Sequence, residues 1–433
     1  MRTSITLLVL VVSSAFVMGP PVIDRKTIKE DMPFLLEFYK TRHKSPEVSL
    51  QEKETSKALA AELRKAGFTV TENFGRYGIV GVYKNGNGPT ILYRTDMDGL
   101  PINEKTGLPY QSQLKAMLNG EEVGTMHACG HDIHMTTWLG TARAMVSMKD
   151  KWRGTLLLIG QPAEEIGEGA KLMLNAGLYE KFGVPTYGIG LHSSPTLPAG
   201  KVGIGKGYVM ASSQSVDINV YGVGSHGASP QKSIDPLVVS SMLVMELQTI
   251  VSRNLDPIES AVVTVGAIKG GTVHNIIPDK VTLKLTIRTF KAEVLEMVNK
   301  RIKEIAKGMG IAAGLPEDKL PEVVIKGAGP ANYNNPAMAA RVVESAVSVI
   351  GKENVIDEEP PVMLSEDFSY YGQTVHKVPT VFYWLGTVPD ARMKSGDLPG
   401  LHSPYYYPQP EISIETGVGV TSQALLDLFN TKI

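Results

Sequence analysis

The stretch Thr155-Leu156-Leu157-Leu158-Ile159-Gly160-Gln161-Pro162-Ala163-Glu164-Glu165 decides the fold. The run Thr155–Ile159 is apolar without alternation, the pattern of a strand covered on both faces. Such strands occur in α/β sheets flanked by helices. On its N-terminal side a helix is predicted from Asp132 to about Met148, and on its C-terminal side another apolar strand, Tyr187–Gly190, leads into Leu191-His192. Further upstream, apolar residues recur at helical spacing from Ile28 to Tyr39. A second helix is expected from about Ser49 to Ala66, with Gly67 as its C-terminal cap. Ile79–Tyr83, the turn Asn85-Gly86-Asn87-Gly88 and Thr90–Tyr93 predict a β-hairpin.

The middle of the chain has another rhythm. Ser215–Val220 alternates, Asp235–Val251 is helical, and Ala261–Ala267 and Val281–Ile287 alternate again. Val294–Met309 is helical and Glu322–Ile325 is a last short strand. Strand–helix–strand–strand–helix–strand is the ferredoxin-like order. The expectation is therefore an α/β domain made discontinuous (residues 20–210 and 326–433) by an inserted α+β domain at 211–325. The glycine-rich Lys201–Met210 and Lys326–Asn335 are expected as its hinges. Gly203-Ile204-Gly205-Lys206-Gly207 lacks the spacing and the following helix of a phosphate loop.

The 433 residues carry 43 Lys plus Arg against 44 Asp plus Glu, a net charge of −1, which supplies no general field for nucleic acid. A lone cysteine, Cys129, excludes an intrachain disulfide framework. Met1-Arg2, the apolar run Ile5–Val12 and the small residues before Gly19 resemble a secretory signal, so residues 1–19 are expected to be removed on export to a secreted or periplasmic location. That run is too short to span a bilayer, and no later segment is apolar enough to do so, so no stable membrane insertion is expected.

Four segments could carry chemistry: His127-Ala128-Cys129-Gly130-His131-Asp132, Pro162-Ala163-Glu164-Glu165, Leu191-His192 and Leu401-His402-Ser403-Pro404. Each falls at a predicted strand end or helix start, where α/β sheets bind ligands. Thiolate, imidazole and carboxylate are donors that borderline divalent metals accept. Cys129 and His131, two apart in a glycine-containing loop, can turn toward one ion. Neighbours at a strand end point different ways, so one of Glu164 and Glu165 can bind metal while the other faces substrate. His226, in Gly224-Ser225-His226-Gly227-Ala228, is either a surface-loop histidine or a side chain delivered to substrate on domain closure. His43, His134, His274 and His376 are assigned structural roles.

These segments, together with Arg94-Thr95-Asp96-Met97-Asp98-Gly99-Leu100-Pro101, Gly270-Gly271-Thr272-Val273-His274-Asn275-Ile276-Ile277-Pro278-Asp279 and Ser365-Glu366-Asp367-Phe368, resemble the M20 metallopeptidases. The likeness is to their amidohydrolase branch of hippurate hydrolases, N-acyl-amino-acid deacylases and auxin-conjugate hydrolases. It implies a catalytic domain with a mixed central sheet flanked by helices, and an inserted ferredoxin-like domain that serves as lid and homodimer contact. It further implies two divalent ions (zinc or manganese, with cobalt or nickel as substitutes) bound by Cys129, His131, Glu165, His192 and His402. Glu164 would be the general base toward a metal-activated water and later the general acid. His226 and Asn275 would approach the substrate carboxylate or the developing oxyanion, His226 in its own or the neighbouring subunit's site, and Arg288 is a further candidate for carboxylate binding. Ligation by Asp96, Asp98 and Asp132 as well would cancel the positive charge an anionic intermediate needs, so these are expected to orient histidines or fix the loop. The implied reaction is hydrolysis of the amide bond of N-acyl amino acids or similar small carboxylate-bearing amides. Dipeptidase or carboxypeptidase activity is the enzymatic alternative, and a non-catalytic exported metal- or ligand-binding protein the other. Ile133, Met135, Gln214 and Gln231 depart from the common family pattern.

Overall fold

The structure, a computed structural model, describes residues 22–431; the expected signal segment, 1–19, lies outside the described residues. Among them the larger part is built on an eight-stranded mixed sheet. Its spatial order is Thr69–Thr71, Ile79–Asn85, Gly154–Gln161, Thr90–Asp96, Tyr187–Pro198, Thr380–Val388, Val202–Ile204 and Val355–Asp357. Gly154–Gln161 is buried on both faces, as its composition requires. Leu156 and Leu158 enter one core with Leu35, Trp138 and Leu425; Leu157 and Ile159 enter the other with Met173, Phe368 and Phe382. Each such leucine contributes about 1.5–3 kcal/mol by leaving water. Helices Arg25–Lys44, His131–Ser147, Pro336–Ile350 and Pro410–Phe429 close the first core, and the short helices Gly169–Asn175 and Leu178–Phe182 close the second.

The expected hairpin does not form. Ile79–Asn85 and Thr90–Asp96 both pair with Gly154–Gln161, the first antiparallel and the second parallel, so this strand lies between them. A strand apolar on both faces gains most from a central position, and Asn85–Pro89 bridges the wider gap instead of making a tight turn. The loop is tied down on the inserted strand's side: Thr155 N donates to Pro89 O at 2.9 Å, and Asn85 Nδ2 donates to Trp152 O at 2.8 Å.

Residues 213–329 form a second, four-stranded antiparallel sheet in the order Ala261–Gly270, Lys280–Thr289, Ser213–Tyr221, Glu322–Gly329. Helices Pro236–Leu247 and Ala292–Ala312 pack on one face, where Val239, Leu243, Val298 and Ile302 meet Val216, Ile218, Leu283 and Leu285. The strand–helix order is the expected one, and the last strand continues past residue 325.

Lys201–Met210, expected as a hinge, is built from two short paired strands. Val202–Ile204 belongs to the main sheet, and Gly207–Met210 pairs with Asn332–Asn334. Its glycines allow close packing: a Cβ on Gly203 would lie 2.7 Å from Glu359 Oε2, and one on Gly205 2.8 Å from Glu359 O. No helix among the described residues is long and apolar enough to cross a membrane.

Candidate active site

Parallel strands of the main sheet end along one edge, and the reactive side chains collect there. Asp96 closes Thr90–Asp96, Gln161 closes Gly154–Gln161 and leads into the Glu164-Glu165 turn, and His192 lies in Tyr187–Pro198. His131 opens helix His131–Ser147, preceded by Gly130 at φ +81°, where a Cβ would lie 2.7 Å from Ser193 Oγ. His402 comes from the loop before the last helix with φ +64°, its N–H donated to Ala128 O at 2.9 Å. A non-glycine residue in the left-handed region stores strain, a feature common at functional sites.

The five expected donors converge. Ligand atoms of Cys129, His131 and His192 lie within 4.8 Å of one another, and so do those of Cys129, Glu165 and His402. Cys129 Sγ is 3.4 Å from His192 Nε2, and His402 Nε2 is 3.3 Å from Glu165 Oε2.

The free atoms test whether these residues suit metal ions. His131 Nδ1 donates to Asp98 O at 2.8 Å, which leaves Nε2 buried with no hydrogen-bond partner among the described residues. Glu165 Oε1, 3.7 Å from that nitrogen, is likewise buried and unpartnered. His192 Nδ1 is committed to Ser193 O at 2.9 Å, which turns Nε2 toward Cys129. Unpaired buried polar atoms are costly, and a cation among them removes that cost. The electrostatics agree. Burial would lower the His131 pKa, but Asp96, Asp98 and Glu165 raise it to about 10, so the surroundings call for positive charge. Burial, and next His134, hold His192 well below the usual range, in the neutral form that binds metals. Burial and the nearby glutamates push the Cys129 thiol well up, a preference that a coordinated cation reverses. The residues fit.

The three carboxylates expected to support the site each have another partner. Asp98 Oδ2 accepts from Ser49 Oγ at 2.6 Å and from Glu165 N at 3.0 Å, and so fixes a donor's backbone. Asp96 bonds Arg94 at 2.7 Å and His134 Nδ1 at 2.7 Å. Asp132 faces the opposite way, 2.6 Å from His43 Nδ1.

Glu164 lines a cavity of about 610 Å³ between the main sheet and the second sheet. Its Oε2 is 3.9 Å from His131 Nε2, and its carboxylate groups with Glu366 and Asp367. Burial, then Glu366, Glu165 and Asp367, push its pKa well above the usual carboxylate range, against the opposing charge of Arg94. Arg288 lines the same cavity, its Nη1 donating to Ser365 Oγ at 2.6 Å. His226 and Asn275 are adjacent to each other: Ser225–His226 pairs with Ile276–Ile277, and Gly227 N donates to Asn275 O at 2.8 Å. Both are exposed and neither lines the cavity.

Three participants, Arg94, Gln161 and His134, had no part in the site expected from sequence. Arg94, only 2 % exposed, donates to Asp96, to Glu366 at 2.8 Å and to Asp367 at 3.0 Å. Gln161 accepts from Arg94 Nε at 3.0 Å and donates to Asp367 at 2.6 Å. An arginine inside an apolar strand was a usable signal, since a buried guanidinium demands partners. His134, taken as structural, joins Asp96 to Ser193, whose N–H it accepts at 2.8 Å. Of the four unusual positions, Ile133 and Met135 are core residues, Gln214 is buried and Gln231 is exposed.

Residues 92–427 match the family model described as Peptidase family M20/M25/M40. The chain belongs to this family. Hippurate hydrolase of Campylobacter jejuni is 40% identical over 77% of this chain and 85% of its own length. N-acetyl-L-cysteine deacetylase of Bacillus subtilis is 36% identical over 80% of this chain and 78% of its own. The crystal structure of the Bacillus subtilis YXEP protein, described as a dinuclear metal binding peptidase from the M20 family, superposes with a TM-score of 0.76 at 28% identity, covering 93% of this chain and 100% of that one. As an M20 member the protein is a metal-dependent amidohydrolase or peptidase, and the mixed sheet with its flanking helices is the fold of its relatives.

Proposed function

We propose that this M20 enzyme hydrolyses the amide bond of N-acyl amino acids, or of similar small amides bearing a carboxylate, with Glu164 as general base. The observation that carries this reading is the position of Glu164: a buried carboxylate with a raised pKa that faces the cavity beside the five-donor cluster. Cys129, His131, Glu165, His192 and His402 hold two divalent ions, for which the mixed donor set favours zinc, with manganese, cobalt or nickel as substitutes. When bound, such ions polarise a carbonyl and lower the pKa of water.

Glu164 takes the proton of the attacking water and returns it to the leaving amine, and its raised pKa suits both halves of that exchange. Asp98 keeps His131 and Glu165 in place from behind, while Asp96 holds Arg94 and His134. Arg288, half-buried and short of solvent, takes the substrate carboxylate. Met210, Leu364, Trp384 and Leu401 give the cavity an apolar wall for an acyl group, in keeping with relatives named as a hippurate hydrolase and acetyl-amino-acid deacetylases. His226 and Asn275 reach substrate when the second unit closes as a lid, or from the other subunit of a dimer. The segment Met1–Gly19 directs export to a secreted or periplasmic location.

The test is a substrate panel run with Glu164→Gln. Benzoyl- and acetyl-amino acids are expected to turn over faster than unblocked dipeptides, and the reverse ranking assigns the enzyme to the dipeptidases. Glu164→Gln should lower kcat by about 10²–10⁴-fold with metal content unchanged; retained turnover removes Glu164 as the base.

A further inference from the structure

The chain enters the Glu164-Glu165 turn through Ala163, whose φ is +54°. A non-glycine residue in that region costs on the order of 1–3 kcal/mol and persists only where its surroundings hold it. Here one oxygen does much of the holding. Glu52 Oε1 accepts the Ala163 N–H at 2.7 Å, and the same atom accepts the Leu50 N–H at 2.9 Å. Leu50 is itself left-handed, at φ +66°. Glu52 is wholly buried and lies 111 residues from Ala163 in the chain.

Helix capping does not account for Glu52. It stands at the N-cap of helix Lys53–Lys65 but makes no side-chain capping bond. The N–H groups of Glu54 and Thr55 go instead to Glu47, at 3.1 and 2.7 Å. Nor is burial there favourable in itself, because Glu52 Oε2 has no hydrogen-bond partner among the described residues. What the carboxylate does accomplish is local to the turn. The Glu165 N–H is held by Asp98, which Ser49 holds in its turn. Glu52 directly, and Ser49 through Asp98, therefore hold the backbone on either side of Glu164.

We propose that Glu52 is a positioning residue for the hydrolytic reaction: by clamping the Ala163 and Leu50 peptides it holds the turn that aims Glu164 into the cavity. The proposal rests on the reading of Glu164 as the base. Burial, with the Asp98 charge next, raises the Glu52 pKa to about 7. A proton on the unpartnered Oε2 leaves Oε1 free to accept both N–H groups, so the clamp operates with either protonation state, and a glutamine preserves it.

The experiment compares Glu52→Ala, Glu52→Gln and the double variant Glu52→Ala with Ala163→Gly, by steady-state kinetics and crystal structures of the metal-loaded enzyme. Glu52→Ala is expected to move Ala163 out of the left-handed region and to lower kcat about tenfold or more, with KM within about threefold, because a small misplacement of a reacting group is expensive in rate. Glu52→Gln should retain most of kcat. Ala163→Gly should recover part of what Glu52→Ala loses, since glycine adopts positive φ without strain. The proposal is overturned if Glu52→Ala leaves the turn and kcat as they are, or if Glu52→Gln loses as much as Glu52→Ala. Should Glu52→Ala not fold, Glu52→Asp, one methylene short of the Ala163 N–H, takes its place under the same criteria. Glu164→Gln is assayed alongside: if it remains active the base assignment fails, while the Ala163 geometry still decides the clamp.

Discussion

His43 is wholly buried, with Nδ1 2.6 Å from Asp132 and Nε2 3.0 Å from Glu104. Burial alone would lower its pKa, but the hydrogen bonds to these two carboxylates outweigh burial and raise it to about 9. Because the folded value lies above the unfolded one of roughly 6.5, the stability it contributes is complete below that pH and is lost as pH rises through about 9. The melting temperature should therefore fall between neutral and alkaline pH. His43→Gln should be less stable at neutral pH and show a flatter profile, as thermal melts across that range would reveal; equal slopes for the two proteins would exclude His43 as the source. Residue types and spacing made the proposed donors stand out, since Cys129 and His131 sit in an unusual context. They could not pair Arg94 with Glu366, 272 residues away, because sequence separation carries no distance information.

Among the elements, helix His131–Ser147 shows how much depends on one glycine. Gly130 starts it in a left-handed conformation, pressed against Ser193, and separates two of the donors. Gly130→Ala should cost about 1–3 kcal/mol through backbone strain alone. It should also lower metal retention after dialysis, because Cys129 and His131 lose their relative orientation; a variant that keeps both its melting temperature and its metal would contradict this. Element types followed from hydrophobic period, and most helices and strands lie where the period puts them. Pairing did not follow. Ile79–Asn85 and Thr90–Asp96 look like a hairpin locally, but Gly154–Gln161 takes the place between them because its two apolar faces need cover from both sides.

On the scale of the whole molecule, the second sheet leaves two surfaces open. Ala261–Gly270 is an edge strand, and helix Pro236–Leu247 turns Val238, Met242 and Met245 outward, the last 73% exposed. An open strand edge beside an apolar stripe is a pattern that proteins normally cover. A second copy of the chain, paired about a twofold axis, is the proposed cover. Light scattering should then report a dimer, and Val238→Glu combined with Met245→Glu should shift it to monomer. A wild-type monomer at micromolar concentration would remove the proposal.

The sequence by itself determined the fold class and the order of elements in both units, because hydrophobic period is a local property written in consecutive residues, and its motifs singled out the side chains proposed as donors. Only the tertiary structure decided strand neighbours, the Arg94–Glu366–Asp367 network behind Glu164, and the hold of Glu52 on Ala163. These depend on which distant backbones meet when both faces of a buried strand are covered and every buried charge must find a partner.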